Sequence, residues 1–159
     1  MFAIKGNLES PSFALQDPSW FEFDVAIISM ALHHVADPIK MLTDLRKRIR
    51  SGGVLVVVEW VSKEYLDSAS EAAKNGTSVT AADASKSSGQ ISYDQEKMIE
   101  VVGGQKIWDG FTPESLNDAM VRAGCTDVEC RASLQSFEIP VQIGHGGHKH
   151  FLLAKGTVL

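Results

Sequence analysis

The chain has 159 residues, of which 44% are hydrophobic and 22% charged, with a net charge of −5. This is the balance of one folded domain with a core of its own, and there is no basic excess of the kind that binds a phosphate backbone, which argues against a nucleic-acid partner. The longest apolar run, Val54 to Val58, is far too short for a membrane-spanning helix, and Lys5, Gly6 and Asn7 interrupt the apolar stretch a leader would need.

Met1 to Ile4 reads as a short strand running into a turn at Lys5-Gly6-Asn7. Leu8 to Glu22 is loop-like, broken by Pro11 and Pro18, with Phe13, Leu15, Trp20 and Phe21 to anchor it. Phe23 to Met30 is continuously apolar apart from Asp24 and Ser29, the pattern of a strand buried on both faces. Asp37-Pro38 then starts a helix, since Asp accepts from free N–H groups and Pro is preset for the first turn. Leu42, Leu45 and Ile49 give that helix an apolar stripe, Lys47, Arg48 and Arg50 suit its carboxyl end, and Gly52-Gly53 is the expected stop. Val54 to Val58 is a second central strand, ending at Glu59-Trp60. Strand, helix and strand with short links predict two parallel strands joined by a right-handed crossover.

Asp67 to Gln90 holds six Ala and six Ser, with Val79 its single large apolar residue. Such a segment buries too little to offset ordering, so a mobile or weakly helical insertion is expected at about 61–107 within a single domain. Tyr93 to Val102 has room for a short helix. Thr112-Pro113 opens the next helix, with Leu116, Ala119, Met120 and Ala123 on one face and Gly124 closing it. Val128, Cys130, Ala132 and Leu134 alternate with polar residues as in a strand near a sheet edge, and His150 to Lys155 reads as the last strand, antiparallel to it across a turn at Gly144–Gly147. Cys125 and Cys130 read as reduced thiols, pointing to the cytoplasm.

Taken together, Phe23-Asp24-Val25, Ala31-Leu32-His33-His34-Val35 with Asp37-Pro38, and Ser51-Gly52-Gly53-Val54-Leu55 resemble the central stretch of small-molecule class I S-adenosylmethionine-dependent methyltransferases. In that family these segments are strand four, the following helix and strand five. Gly110-Phe111-Thr112 and Ala123-Gly124-Cys125 match its closing elements. The resemblance implies an α/β fold: a partial Rossmann-like sheet, mostly parallel with an antiparallel carboxyl-terminal strand, whose family order is 3-2-1-4-5-7-6. It also implies transfer of a methyl group from S-adenosylmethionine to a small molecule.

The departure is at the cofactor. No GxGxG segment occurs, and Met1–Asn7 takes the place of strand three, so the first two strands are without counterparts. The resemblance places Asn7 where the family contacts the adenine amino group, counts Leu8 next to it as cofactor-binding, and sets Ser29, Met30 and Ala31 along the cofactor. Strand four would then be an unpaired apolar edge, repaired by strand three, by a homodimer or by a complementing protein partner. A catalytically inactive binding or regulatory subunit is the alternative to an enzyme.

His33 and His34 lie at the carboxyl end of a central strand, where open α/β sheets place their ligands, and suit a general base. Glu59 ends the next strand on the same side with Trp60, either lining a pocket or held as a buried pair. His145, His148 and His150 lack regular metal-ligand spacing, so no metal is expected. Trp108 and Phe111 read as core.

Overall fold

The computed structural model describes residues 13–74, 99–100, 106–139 and 147–159, together with Gly6 and Leu8. Met1 to Ile4, Asn7, most of the Ala/Ser-rich segment and the Gly144–Gly146 part of the expected turn lie outside the described residues.

Among them, four strands form the main sheet: β1 (Phe23–Ser29), β2 (Ile49–Trp60), β5 (Cys125–Glu138) and β6 (His148–Val158), in the order β1-β2-β6-β5. β3 (Ile99–Glu100) and β4 (Lys106–Ile107) form a separate small ladder. The helices are α1 (Pro38–Arg46), α2 (Lys63–Lys74) and α3 (Pro113–Arg122). β1 and β2 are parallel, while β6 runs against both β2 and β5. Three strands therefore share one direction and β6 alone opposes them, which is the 4-5-7-6 half of the order the resemblance implied.

Both sequence-predicted helix starts form as their chemistry dictates. The Asp37 carboxylate accepts the Lys40 N–H at 2.9 Å. Thr112 and Ser115 cap each other reciprocally, Ser115 N–H to Thr112 Oγ1 at 3.0 Å and Thr112 N–H to Ser115 Oγ at 2.9 Å. α1 ends earlier than its apolar stripe suggested. Ile49 belongs to β2, which begins before the Gly52-Gly53 pair, so the glycines lie within a strand instead of stopping a helix. Ile99–Glu100 is extended and paired with Lys106–Ile107, correcting the short helix expected over Tyr93–Val102 at those two residues.

The core lies on one face of the sheet. Leu55, Val57 and Glu59 of β2 and Leu152, Ala154 and Val158 of β6 point to that side, against Leu42 of α1 and Leu116, Ala119 and Met120 of α3. Tyr65 and Leu66 of α2 pack against the same cluster. The other face carries Phe23, Val25, Ile27 and Leu153, all of them exposed. Among the described residues β1 is thus covered on one face only, where burial on both was expected. Its continuous apolar run reflects two apolar faces, of which the described residues cover one.

Candidate active site

Parallel pairing sets the carboxyl ends of β1 and β2 side by side, Ser29 against Val58. Met30 then takes a left-handed backbone conformation, φ 52°, which ends the strand while its N–H still bonds Val58 O at 2.8 Å. The chain turns through one short 3-10 segment, Leu32–His34, before Asp37 caps α1. Ser29 and Ala31 are exposed and Met30 half-buried, so this turn forms an accessible wall at the carboxyl ends of β1 and β2.

Behind that wall, Glu59 is completely buried, 0% exposed. Its Oε1 accepts the N–H of Leu32 at 2.6 Å and of His33 at 3.3 Å, and its Oε2 lies 2.7 Å from His33 Nδ1 and accepts the Trp60 N–H at 3.3 Å. Four donors on one carboxylate offset much of the cost of taking it out of water. His33 is 5% exposed, and with Nδ1 committed to Glu59 the proton of a neutral ring belongs on Nδ1, leaving a lone pair on Nε2. The opposite side of the same turn is held by Trp108, whose backbone N–H donates to His33 O and whose Nε1–H donates to Val35 O, each at 2.8 Å. The His34 ring centre is 4.1 Å from that of His33. Desolvation, and then the neighbouring His33, push the His34 pKa below its usual value, against a pull from Glu59.

No protein-family model and no curated protein matches the chain. Solved structures do match. One is an S-adenosylmethionine-dependent methyltransferase of Thermotoga maritima, described as a possible histamine N-methyltransferase, with a TM-score of 0.54 and 24% identity over 99% of this chain and 64% of that one. Another is an S-adenosylmethionine-dependent methyltransferase of Methanosarcina mazei, with a TM-score of 0.50 and 15% identity over 96% of this chain and 65% of that one. The fold is that of the class I S-adenosylmethionine-dependent methyltransferases. The chain spans just under two-thirds of the length of each of these two neighbours.

In this methyltransferase-like chain the structure brings together Ser29, Met30, Ala31, His33, His34 and Glu59 around one turn. Leu8 is elsewhere: it lines a cleft of about 300 Å³ with Phe21, Lys40, Asp44, Lys47 and Arg48, along α1. Asn7 lies outside the described residues. Glu59 holds the turn from inside and, being fully buried, presents no surface to a substrate. Trp60 points to the opposite face and stacks on Phe151, ring centres 5.0 Å apart. Arg48 lies over Phe21 at 4.2 Å, Lys47 bonds Asp44 at 2.9 Å and Arg50 bonds Asp24 at 2.7 Å. His150 Nδ1 meets Ser133 O at 2.9 Å, and among the described residues no three potential ligands gather as a metal site.

Sequence reasoning read Trp108 as core. It is buried, but it is also the second clamp on the His33 turn, a role no local pattern signals because its partner Val35 lies 73 residues away.

Proposed function

We propose that this chain is a methyltransferase module that binds S-adenosylmethionine along Ser29, Met30 and Ala31 and uses His33 as the base for a small-molecule methyl acceptor. The observation that supports it is the buried Glu59–His33 pair directly behind an accessible turn at the carboxyl end of parallel strands. A His whose Nδ1–H faces a carboxylate is held in one orientation and one tautomer, which leaves the Nε2 lone pair as its proton-accepting position.

The fit to the cofactor is partial. Ser29 and Ala31 are open to solvent at the end of β1, so this wall suits an extended ligand. The glycine-rich loop of the family has no counterpart in the sequence. When bound, S-adenosylmethionine supplies an electrophilic methyl group. The contribution of this chain is to hold the wall in place through Glu59 and Trp108 and to receive a proton from the acceptor at His33 Nε2. His34, whose lowered pKa keeps it neutral near pH 7, is the second hydrogen-bonding group at the turn.

The test is a calorimetric titration of the purified chain with S-adenosylhomocysteine. Micromolar binding supports the reading, and a His33→Gln variant is then expected to keep binding while losing methyl transfer. Absence of binding up to millimolar ligand overturns it and leaves the second reading, a methyltransferase-derived binding or regulatory subunit.

A further inference from the structure

Residues Trp108 to Thr112 tie together elements that lie far apart in the sequence. Trp108 donates its backbone N–H to His33 O and its indole N–H to Val35 O, each at 2.8 Å. Phe111 N–H bonds Trp60 O at 2.9 Å, and Phe111 O accepts the Ser62 N–H at 3.0 Å. Between them, Asp109 reaches a third element. Its Oδ2 accepts the N–H of Lys63, the first residue of α2, at 3.2 Å, and its Oδ1 lies 3.7 Å from Lys149 Nζ on β6. The first N–H groups of a helix have no acceptor within it. Tyr65 N–H is taken by the neighbouring Ser62 Oγ at 3.4 Å, whereas Lys63 N–H is taken by a carboxylate 46 residues away.

α2 has a physical need for that acceptor. It has 12 residues, a length at which a helix alone is marginal in water. None of Lys63 to Ser70 is buried, and among them Tyr65 and Leu66 pack, partly buried, against the core. The order of α2 therefore leans on its first turn as well as on packing. We infer that Asp109 is a positioning residue for the His33 turn, acting through Trp108, and that it couples the order of that turn to the order of α2. Asp109 and Trp108 are adjacent, so a shift of the backbone at 109 tips the indole whose bond to Val35 O fixes the turn. With Asp109 released from Lys63, that backbone is held to β2 by Phe111 alone, through bonds two residues further on.

The coupling also bears on the wall formed by Ser29 to Ala31, a step that rests on the cofactor-binding reading above. His34 N–H bonds Ala31 O at 3.1 Å, so a loosened turn passes its motion directly into that wall. Release of α2 then weakens a ligand held there. By reciprocity, a ligand bound at the wall firms α2 by the same factor.

Hydrogen exchange on the full chain, without cofactor, tests the coupling. Asp109→Ala is expected to speed exchange of the Trp108 indole N–H and of the His34 and Val35 amides about fivefold to tenfold, the scale of one hydrogen bond. The amides of β2 and β6 should stay protected, which also reports that the variant is folded. Asp109→Asn, whose amide oxygen can still accept from Lys63, is expected to restore the turn. Lys149→Ala, which removes a partly exposed ion pair and leaves the bond to α2, is expected to spare it. Ala69→Pro interrupts α2 and should loosen the turn as Asp109→Ala does, while the double variant exchanges little faster than either alone. A turn that Asp109→Ala leaves unchanged overturns the inference. So do strictly additive effects of Asp109→Ala and Ala69→Pro, uniform loss of protection along the chain, or an Asn variant as loose as the Ala one. Affinity for S-adenosylhomocysteine, read by calorimetry, is expected to fall about tenfold in Asp109→Ala. A loosened turn with unaltered affinity keeps the coupling and removes its effect on the wall. A chain that binds no S-adenosylhomocysteine but shows the exchange pattern keeps the coupling and overturns the cofactor reading instead.

Discussion

Glu59 Oε2 lies 2.7 Å from His33 Nδ1 while Glu59 Oε1 bonds the backbone of Leu32 at 2.6 Å, so one buried carboxylate fixes both the ring and the turn that carries it. Two substitutions separate these duties. Glu59→Ala strips the Leu32 and His33 N–H groups and the ring of their acceptor, and is expected to cost about 3–5 kcal/mol by urea denaturation. Glu59→Gln can still accept from Leu32 but turns an amide NH₂ toward His33, so the ring must accept at Nδ1 and carry its proton on Nε2. The expected loss of stability is smaller, about 1–2 kcal/mol. The nitrogen-15 shifts of His33 would show the exchange of tautomers. Retention of the original tautomer in the Gln variant would show that Glu59 does not set it.

Trp108 grips the same turn from the opposite side, and Trp108→Phe isolates its indole hydrogen bond because the ring's bulk is largely kept. Loss of the bond to Val35 O is expected to cost about 1 kcal/mol globally. The sharper effect should be local. The N–H groups of His34 and Val35, which bond Ala31 O and Leu32 O at 3.1 and 3.0 Å, should lose hydrogen-exchange protection while those of β2 and β6 keep theirs. Uniform loss along the whole chain would mean that Trp108 acts on the core as a whole and not on the turn.

How far the sequence discloses this arrangement depends on the range of each interaction. The caps at Asp37 and Thr112 are legible because a cap is satisfied within three residues of its own helix. The parallel pair β1 and β2 is legible because two apolar runs flank a helix. Ile49 misleads: its spacing from Leu42 and Leu45 continues the helical stripe, yet it is buried in β2, where sheet pairing overrides local periodicity. His33 and Glu59 were both legible as residues at strand ends, but their contact spans 26 residues and their joint burial follows from packing, which spacing does not encode. The placement of Leu8 along α1, away from Ser29–Ala31, is tertiary in the same sense.

Cys130 offers a test of packing on the covered face of β5. Burial, and then the nearby Glu114 carboxylate, push its thiol up from an ordinary 9.0 to about 12. Cys125 is shifted in the same direction, chiefly by burial. Because the thiolate is the reactive form, iodoacetamide near pH 9 should leave both residues unmodified in the native chain and modify both in urea, as read by intact mass. The sign for stability follows. Above about 9 the unfolded chain loses the Cys130 proton while the folded chain holds it, so stability should fall as pH rises from about 9 toward about 12. Rapid native alkylation of Cys130 would show that the α3–β5 contact opens readily.

Gly110 tests the join between the clamp and the carboxyl-terminal half of the fold. Its φ is +121°, a conformation that side chains rarely adopt, and a Cβ built there would lie 2.7 Å from Trp60 O, 3.0 Å from Ser62 N and 3.1 Å from the Val61 carbonyl carbon. All three are backbone atoms. They belong to the segment where Phe111 N–H bonds Trp60 O at 2.9 Å and Ser62 N–H bonds Phe111 O at 3.0 Å, so the neighbours cannot swing aside without breaking that bridge. Gly110→Ala therefore combines backbone strain with a steric clash and is expected to cost about 2–3 kcal/mol in thermal or urea unfolding. Gly52→Ala is the comparison: its φ is +76°, but the nearest atom to a Cβ is Arg50 Nη1 at 3.7 Å, leaving strain without a clash. The cost there should be about 1 kcal/mol. Equal effects at the two sites would show that the bridge between Val61 and Phe111 yields freely, and that Trp108, two residues before Gly110, is not rigidly placed by it.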